Sequence, residues 1–199
     1  MLTNTEDIKR LLYALEEKMG ISGCAPIGLV VCGGAALNIL GIVSRTTMDI
    51  DVLAAIHHGR MEQAKTLFTG TMLKCIEDVA KDFGAPKKWL NPGPGNLFEK
   101  GLPNGITERL CRESFGRHLD VYWISRFDLI CLKLYAAADD VTRTRRDVDI
   151  QDLHKIQPQH EEIDKAILWM RTLYDYEEKK IVLEDVLRDL GYDDLGYYL

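Results

Sequence analysis

Two aspartates separated by a single residue are the first feature of this chain that could do chemistry. Asp49 and Asp51 lie in residues 48–53, whose other members are apolar, so this segment is predicted to be a strand. Alternation along a strand puts both carboxylates on one face, about 6–7 Å apart. Such like charges repel unless a cation lies between them, and Mg²⁺ suits paired carboxylates when substrate phosphates complete its shell. The alternative is an edge strand with both carboxylates in water.

The residues before this pair predict a phosphate-binding turn. Residues 27–32 form an apolar, β-branched run typical of a buried strand, and Gly33 and Gly34 interrupt it. Residues 35–40 then predict a short helix that ends at Gly41. Glycines let the backbone approach a ligand closely, and the N–H groups of a following helix can bind phosphate. A phosphate cradle and a metal pair in one strand–turn–helix–strand unit favour the functional interpretation over the solvated strand.

This unit resembles the first motif of nucleotidyltransferases of the DNA polymerase β superfamily. More narrowly, it is similar to the AbiEii/AbiGii toxin-type branch and its uncharacterised relatives. The residues that carry the resemblance are Gly33-Gly34, the short helix, Arg45-x-Thr47 and Asp49-Ile50-Asp51. The resemblance implies that Gly33, Gly34, Arg45 and Thr47 belong to a nucleotide site and that Asp49 and Asp51 bind Mg²⁺ or Mn²⁺. One departure is Gly34, because the second loop position is often serine and its hydroxyl contact is lost here.

A third acid is expected on a neighbouring strand. Residues 107–113 and 117–124 are predicted to be two strands joined by a turn, and Asp120 is flanked by apolar residues in the second. In the superfamily a third acidic residue activates the attacking hydroxyl or joins a metal. The resemblance assigns that place to Asp120, and the alternative is a surface aspartate on a strand.

A lysine lies in the middle of the most apolar helix. Ser125 is a predicted N-cap, and residues 129–138 are apolar nearly all round, so this helix should be buried. A buried Lys133 needs a carboxylate partner or a cavity that contains phosphate, unless its ammonium reaches the surface. The second motif of the AbiEii-like branch is a helix with this lysine followed by small residues. The resemblance therefore implies that Lys133 faces the nucleotide.

The next helix carries two acids on one face. Residues 144–156 are predicted to be helical, and Asp149 and Asp152 lie three residues apart. They match the Asp-x-x-Asp-Leu signature of the branch, which implies that Asp149 orients or deprotonates the acceptor. The alternatives are ion pairs within the helix, to Arg145 and Arg146, or a pair between one of these acids and Lys133.

Composition restricts the class of protein. The 199 residues are 46% hydrophobic, enough for a sizeable core, and the net charge of −6 argues against broad electrostatic capture of nucleic acid. Five cysteines form no C-x-x-C pair, and we expect them to be reduced, buried thiols of a cytoplasmic protein. No apolar run is long enough to span a bilayer, so no membrane partner is expected.

The remaining segments complete the expected organisation. Residues 5–19 predict a first helix, and a helical pattern interrupted near Gly70 runs from residue 60 to 83 after a solvated loop at His57-His58. Residues 84–105 are rich in glycine and proline yet include Trp89 and Phe98. We therefore expect an ordered loop that forms a wall of the substrate pocket. Two amphipathic helices are predicted at 160–176 and 178–190.

Taken together, these patterns predict an α/β (α+β) fold. Residues 1–124 would form a nucleotidyltransferase-like mixed sheet flanked by helices, and residues 125–199 a C-terminal helical bundle packed on that core. The resemblance implies an enzyme that moves a nucleoside monophosphate from NTP–Mg²⁺ to an acceptor hydroxyl of tRNA, a protein or a small molecule. A toxin–antitoxin setting with an antitoxin partner is part of the same expectation.

The alternative is a non-catalytic nucleotide-binding or protein-interaction module that keeps the fold. Two departures from the branch favour it. Gly34 lacks the serine hydroxyl, and the arginine often found shortly after the helix lysine is replaced by Asp139-Asp140, which leaves its contact to Arg143, Arg145 or Arg146.

Overall fold

The computed structural model describes residue 2 and residues 4–139 and 143–192, and it confirms a mixed α/β fold of the α+β kind. The chain forms two compact units. The first contains residues 1–99 and 107–124, and the second contains residues 100–106 and 125–199. The chain therefore passes from the first unit to the second at residue 100, returns at residue 107 and leaves again at residue 125.

The first unit is built on a six-stranded mixed sheet. Its strands are β1 (Ile27–Cys32), β2 (Ile50–His57), β3 (Arg60–Gln63), β4 (Leu90–Asn91), β5 (Cys111–Ser114) and β6 (Leu119–Trp123). The order is β3-β2-β1-β6-β5, and β4 pairs with β2. β1 is antiparallel to β2 and parallel to β6. Every residue of β1 is buried, as expected for a central strand rich in Leu, Ile and Val.

The helices of the first unit support this sheet. They are α1 (Thr5–Ile21), α2 (Gly33–Ile39) and α3 (Gly70–Phe83), and a short helix, α4 (Asn96–Lys100), runs into the second unit. Asn4 caps α1 by accepting a hydrogen bond from the backbone N–H of Asp7. The buried side of α1 consists of the apolar residues expected from its periodicity, and α1 packs against α3.

Several predicted boundaries in this unit are wrong. The first helix continues beyond residue 19 to Ile21, and the strand that follows the basic loop begins at Ile50, so that Asp49 precedes it. The helical pattern from residue 60 is interrupted by β3 and a 3-10 helix, Ala64–Leu67, before α3 begins. His58 and Gly59, with φ of 50° and 75°, form the turn of a β2–β3 hairpin instead of a strand-to-helix loop.

The later segments of the first unit also differ from expectation. Residues 107–113 do not form one strand: a 3-10 helix, Ile106–Arg109, precedes β5. The cysteines are free thiols, but only three are buried, and Cys111 on the edge strand β5 is exposed. The glycine- and proline-rich segment 84–105 is an ordered connection, as predicted, and its residues Leu90–Asn91 join the sheet.

The second unit is helical. Its elements are α5 (Arg126–Ala137), α6 (Arg143–Ile156), α7 (His160–Met170) and α8 (Tyr176–Asp189). Compared with the prediction, α7 ends earlier, at Met170 instead of residue 176, and α8 begins sooner, at Tyr176 instead of residue 178. α5 packs against α6, α7 and α8 and is buried on nearly all sides. Ser125 caps it through a hydrogen bond from the backbone N–H of Asp128, as the sequence predicts.

A charged cluster holds the strap of residues 100–106 to the helices. Lys100 donates to the hydroxyl of Tyr135 at 2.7 Å and pairs with the carboxylate of Asp175. The Tyr135 hydroxyl donates to the same carboxylate at 2.6 Å. Burial and the contact with Asp175 raise the pKa of Tyr135 to about 12. The indole N–H of Trp169 donates to the carbonyl of Gly101 at 3.3 Å, so both side-chain and backbone contacts fix this strap.

No helix of the described residues is both long and apolar enough to cross a membrane.

Candidate active site

The end of β1 and the start of β2 bring the diglycine turn against Asp51. This turn is the beginning of α2, which starts at Gly33 and not at residue 35 as predicted. Cys32, the last residue of β1, pairs with Asp51 in the antiparallel register, and Gly33 follows it. Gly33 has a φ of 67°, and a Cβ added there would lie 2.4 Å from the Oδ2 atom of Asp51. Only glycine therefore allows this backbone conformation and this approach together. The turn and the carboxylate are neighbours, as the sequence predicts.

Asp49 is held from the other side of β2. The side-chain amide of Asn91 donates to Asp49 Oδ2 at 3.0 Å, and Asn91 pairs with Asp51 in the parallel β2–β4 register. The Oδ1 atom of Asp51 lies 4.0 Å from the position of a Cβ on Gly93. Both carboxylates therefore border the same Asn91–Gly93 segment, and both are partly exposed.

The basic loop fills the space beside Gly34. A Cβ at residue 34 would lie 2.9 Å from the hydroxyl oxygen of Thr47 and 3.3 Å from Nη2 of Arg45. The Thr47 side chain is buried and donates to the carbonyl of Asp49 at 3.1 Å. A serine at residue 34 would thus displace Thr47 or Arg45. With glycine at this position, the hydroxyl of Thr47 and the guanidinium of Arg45 lie beside the turn. The predicted residues Gly34, Arg45 and Thr47 lie together.

Two asparagines organise this site, and neither was predicted from the sequence to have a role there. Asn38 is 6% exposed, and its amide donates to the carbonyls of Gly34 and Arg45 at 2.9 and 3.0 Å. It therefore ties the basic loop to α2. Asn91 connects Asp49 to the backbone N–H of Gly93. The sequence could have indicated both roles. Asn38 is the polar residue of an otherwise apolar helix, and Asn91 directly follows the apolar pair Trp89-Leu90.

Asp120 does not join this pair of acids. In the parallel register Asp120 lies opposite Gly28, whereas Asp51 lies opposite Cys32, four residues further along β1. Four residues of strand span about 13 Å. Asp120 pairs instead with Arg112 at 2.8 Å, and its Oδ1 atom is buried without a hydrogen-bond partner among the described residues.

Lys133 and Asp149 are brought together in the helical unit. The Lys133 ammonium lies 2.6 Å from Asp149 Oδ1 and 2.7 Å from Asp152 Oδ2, and the three side chains are 10%, 7% and 2% exposed. Burial opposes the charged form of this lysine, but the attraction of the two carboxylates outweighs it and raises the pKa of Lys133. Of the alternatives drawn from the sequence, the pair between lysine and acid is thus present, and it includes both acids.

The donor set at Asp49 and Asp51 fits Mg²⁺ only if other groups complete its coordination. In residues 2, 4–139 and 143–192, no group of three or more His, Cys, Asp or Glu side chains could hold a metal ion. Mg²⁺ in proteins is commonly bound by one or two carboxylates together with water and substrate phosphates. Asp49 and Asp51 could supply the carboxylate ligands, and a nucleotide at the glycine turn could supply the phosphate ligands. The side chains of Arg143, Arg145 and Arg146, and residue Asp140, lie outside the described part of the chain.

A cavity of about 340 Å³ lies at the opposite end of the central strands, beside Ile27 and His57. Its walls also include Cys24 and Met72, and no pattern in the sequence marked it. It is separate from the turn at Gly33, which follows the other end of β1.

Comparisons with protein-family models, with curated proteins and with solved structures found no match to this chain.

Proposed function

We propose that this chain is a Mg²⁺-dependent nucleotidyltransferase that moves a nucleoside monophosphate from an NTP to an acceptor hydroxyl of RNA, a protein or a small molecule. The observation that carries the proposal is the convergence of Gly33, Asp51 and Asp49 where β1 ends and β2 begins. An action within a toxin–antitoxin pair and a cytoplasmic location belong to the same proposal. The five free thiols support the location.

The first unit contains groups that such a transfer would use. Asp49 and Asp51 would hold the cation, which neutralises charge on the transferring phosphoryl group when it is bound. The outer phosphates would approach the backbone at Gly33, which is half-buried, and the Arg45 guanidinium beside the buried Gly34 would add positive charge there. The acceptor oxygen would bond to the α-phosphorus while the bond to pyrophosphate breaks, and the hydroxyl proton would leave to water.

A nucleotide-binding module without transfer activity is the second candidate, and one observation favours it. Lys133, which was predicted to face the nucleotide, is paired with Asp149 and Asp152 within the helical unit. Asp149, which was predicted to act on the acceptor, is thus engaged in the same ion pair. Asp120, the predicted third acid, pairs with Arg112. A site with only Asp49 and Asp51 can bind NTP–Mg²⁺ without an acid assigned to the acceptor hydroxyl.

Isothermal titration with ATP and GTP, with and without Mg²⁺, tests the proposed site. We expect wild-type protein to bind nucleotide only with Mg²⁺. Asp49→Asn and Asp51→Asn should each weaken binding by at least ~100-fold, because a lost metal ligand costs several kcal/mol. Glu62→Gln is the matched control, since it removes the same charge from an exposed position of β3 in the same sheet.

The outcomes separate the candidates. Metal-dependent binding together with transfer of label from an α-³²P NTP to an acceptor supports the enzyme, and metal-dependent binding without transfer supports the module. Binding that is unaffected by Mg²⁺, or equal losses in Glu62→Gln and the aspartate variants, would contradict the metal site itself.

A further inference from the structure

We infer that Asn91 is the positioning residue of this site: its amide donates to Asp49 Oδ2 and so fixes the orientation in which this carboxylate would meet a divalent cation. The inference rests on the proposed function and deepens it, because it names what makes the pair of aspartates a formed site before metal arrives. Asn91 would act through Asp49 and would not bind the cation itself.

The hydrogen bonds of Asn91 determine the orientation of its amide. The backbone N–H of Gly93 donates to Asn91 Oδ1 at 2.8 Å, and a backbone N–H can only donate. The Nδ2 group must therefore face Asp49 Oδ2, 3.0 Å away, and a carboxylate can only accept. Among side chains of this size, only an amide offers an acceptor to one neighbour and a donor to the other. An aspartate in place of Asn91 would accept from Gly93 but repel Asp49.

The surrounding structure fixes the position of Asn91. Trp89 is 0% exposed, its indole N–H donates to the carbonyl of Ile76 on α3 at 3.0 Å, and its own carbonyl accepts from the N–H of Ile50 at 2.6 Å. The next two residues, Leu90 and Asn91, pair in register with Ile50 and Asp51. The glycine at 93 is equally constrained, because a Cβ there would lie 2.6 Å from Asn91 Oδ1.

This arrangement explains why a strand of only two residues joins the sheet beside the acids. A second-sphere hydrogen bond to a metal-binding carboxylate orients it, and losing such a bond commonly weakens metal binding 10–100-fold. A residue with a purely structural role would change stability without changing metal affinity.

Mn²⁺ binding to the full chain, followed by electron paramagnetic resonance of the free ion, tests the inference with two substitutions of opposite sign. Asn91→Ala removes the donor and should weaken Mn²⁺ binding about 10-fold. Asn91→Asp adds a negative charge, so it should lower the melting temperature without metal and tighten Mn²⁺ binding at least about threefold. Asn96→Ala and Asn96→Asp are the matched controls, because Asn96 is exposed and contacts Lys65 at 2.6 Å.

The control variants should bind Mn²⁺ within about twofold of wild type. Unchanged affinity in Asn91→Ala overturns the positioning role while wild-type binding leaves the proposed function standing. Asn91→Asp removes the donor and adds a charge at once, so it reports only whether the cation lies near residue 91. If Asn91→Ala does not fold, Asn91→Gln replaces it: the amide is kept but moved by one methylene, and Mn²⁺ binding should again weaken about 10-fold. If wild-type protein binds no Mn²⁺, the proposed function fails and the inference fails with it.

Discussion

Replacement of Lys133 by methionine should lower the free energy of unfolding by about 3–5 kcal/mol, because it leaves two buried carboxylates without their cation. The Lys133 ammonium contacts Asp149 and Asp152 at 2.6 and 2.7 Å, and none of the three side chains is more than 10% exposed. The second oxygen of Asp149 is also buried and has no hydrogen-bond partner among the described residues. Urea unfolding followed by circular dichroism measures the effect.

Two further variants make this test specific. Lys165→Met removes the same charge from an exposed pair with Glu161 at 2.7 Å and should change stability little. Adding Asp149→Asn and Asp152→Asn to Lys133→Met should restore much of the loss, since the buried charges are then gone. A loss in Lys133→Met no larger than that of Lys165→Met would contradict the buried ion pairs.

The pH dependence of this effect has a definite sign. The two carboxylates raise the pKa of Lys133 above its ordinary value of 10.5 in spite of burial. A lysine whose pKa is higher in the folded than in the unfolded protein contributes stability. That stability is complete below the pKa of the unfolded state and is lost as the pH rises through the pKa of the folded state. The difference in stability between wild type and Lys133→Met should therefore be constant near neutral pH and narrow above about pH 10.5.

Gly33→Ala should be the most damaging single substitution in the turn. The left-handed conformation of Gly33 costs an alanine about 1–2 kcal/mol, and the new Cβ would lie 2.4 Å from Asp51 Oδ2. Relief of that overlap adds about 1–3 kcal/mol of strain, or it displaces the carboxylate and weakens Mn²⁺ binding about 10-fold. Thermal unfolding and Mn²⁺ titration of the same samples distinguish these two routes.

Gly41 provides the control for backbone strain. Its φ is 68°, close to that of Gly33, and an added Cβ would meet nothing within 4 Å. Gly41→Ala should therefore show the conformational cost alone and leave Mn²⁺ binding unchanged. Equal effects of the two alanines on stability and on metal binding would mean that Asp51 does not lie against the turn.

The parts of the fold that could be predicted are those with a strong local pattern. The strand at Ile27–Cys32 is a β-branched apolar run between Pro26 and Gly33, and the structure confirms it without a change of boundary. The strand β3 was missed because Arg60–Gln63 is short and mostly polar, and it forms only as the second arm of a hairpin. A two-residue strand such as Leu90–Asn91 has no local signal, since its pairing with β2 defines it.

The candidate site divides in the same way. The sequence predicted the diglycine turn and the aspartates as one continuous unit, and the β1–β2 register places Asp51 against Gly33. Burial of the apolar helix predicted that Lys133 needs a carboxylate or a cavity that contains phosphate, unless its ammonium reaches the surface. The packing of α5 on α6 was needed to identify two carboxylates as its partners. The position of Asp120 depended on the strand order and on the β1–β6 register, which no local pattern contains.

The proposed function depends most on whether Asp49 and Asp51 hold one divalent cation beside Gly33. Crystals grown with Mn²⁺ and a non-hydrolysable NTP test it directly through the anomalous scattering of manganese. We predict a peak within about 2.0–2.3 Å of an oxygen from each carboxylate, with the outer phosphates at Gly33 and Gly34. A nucleotide bound elsewhere, or no manganese at these two carboxylates at saturating concentration, would contradict the proposed function.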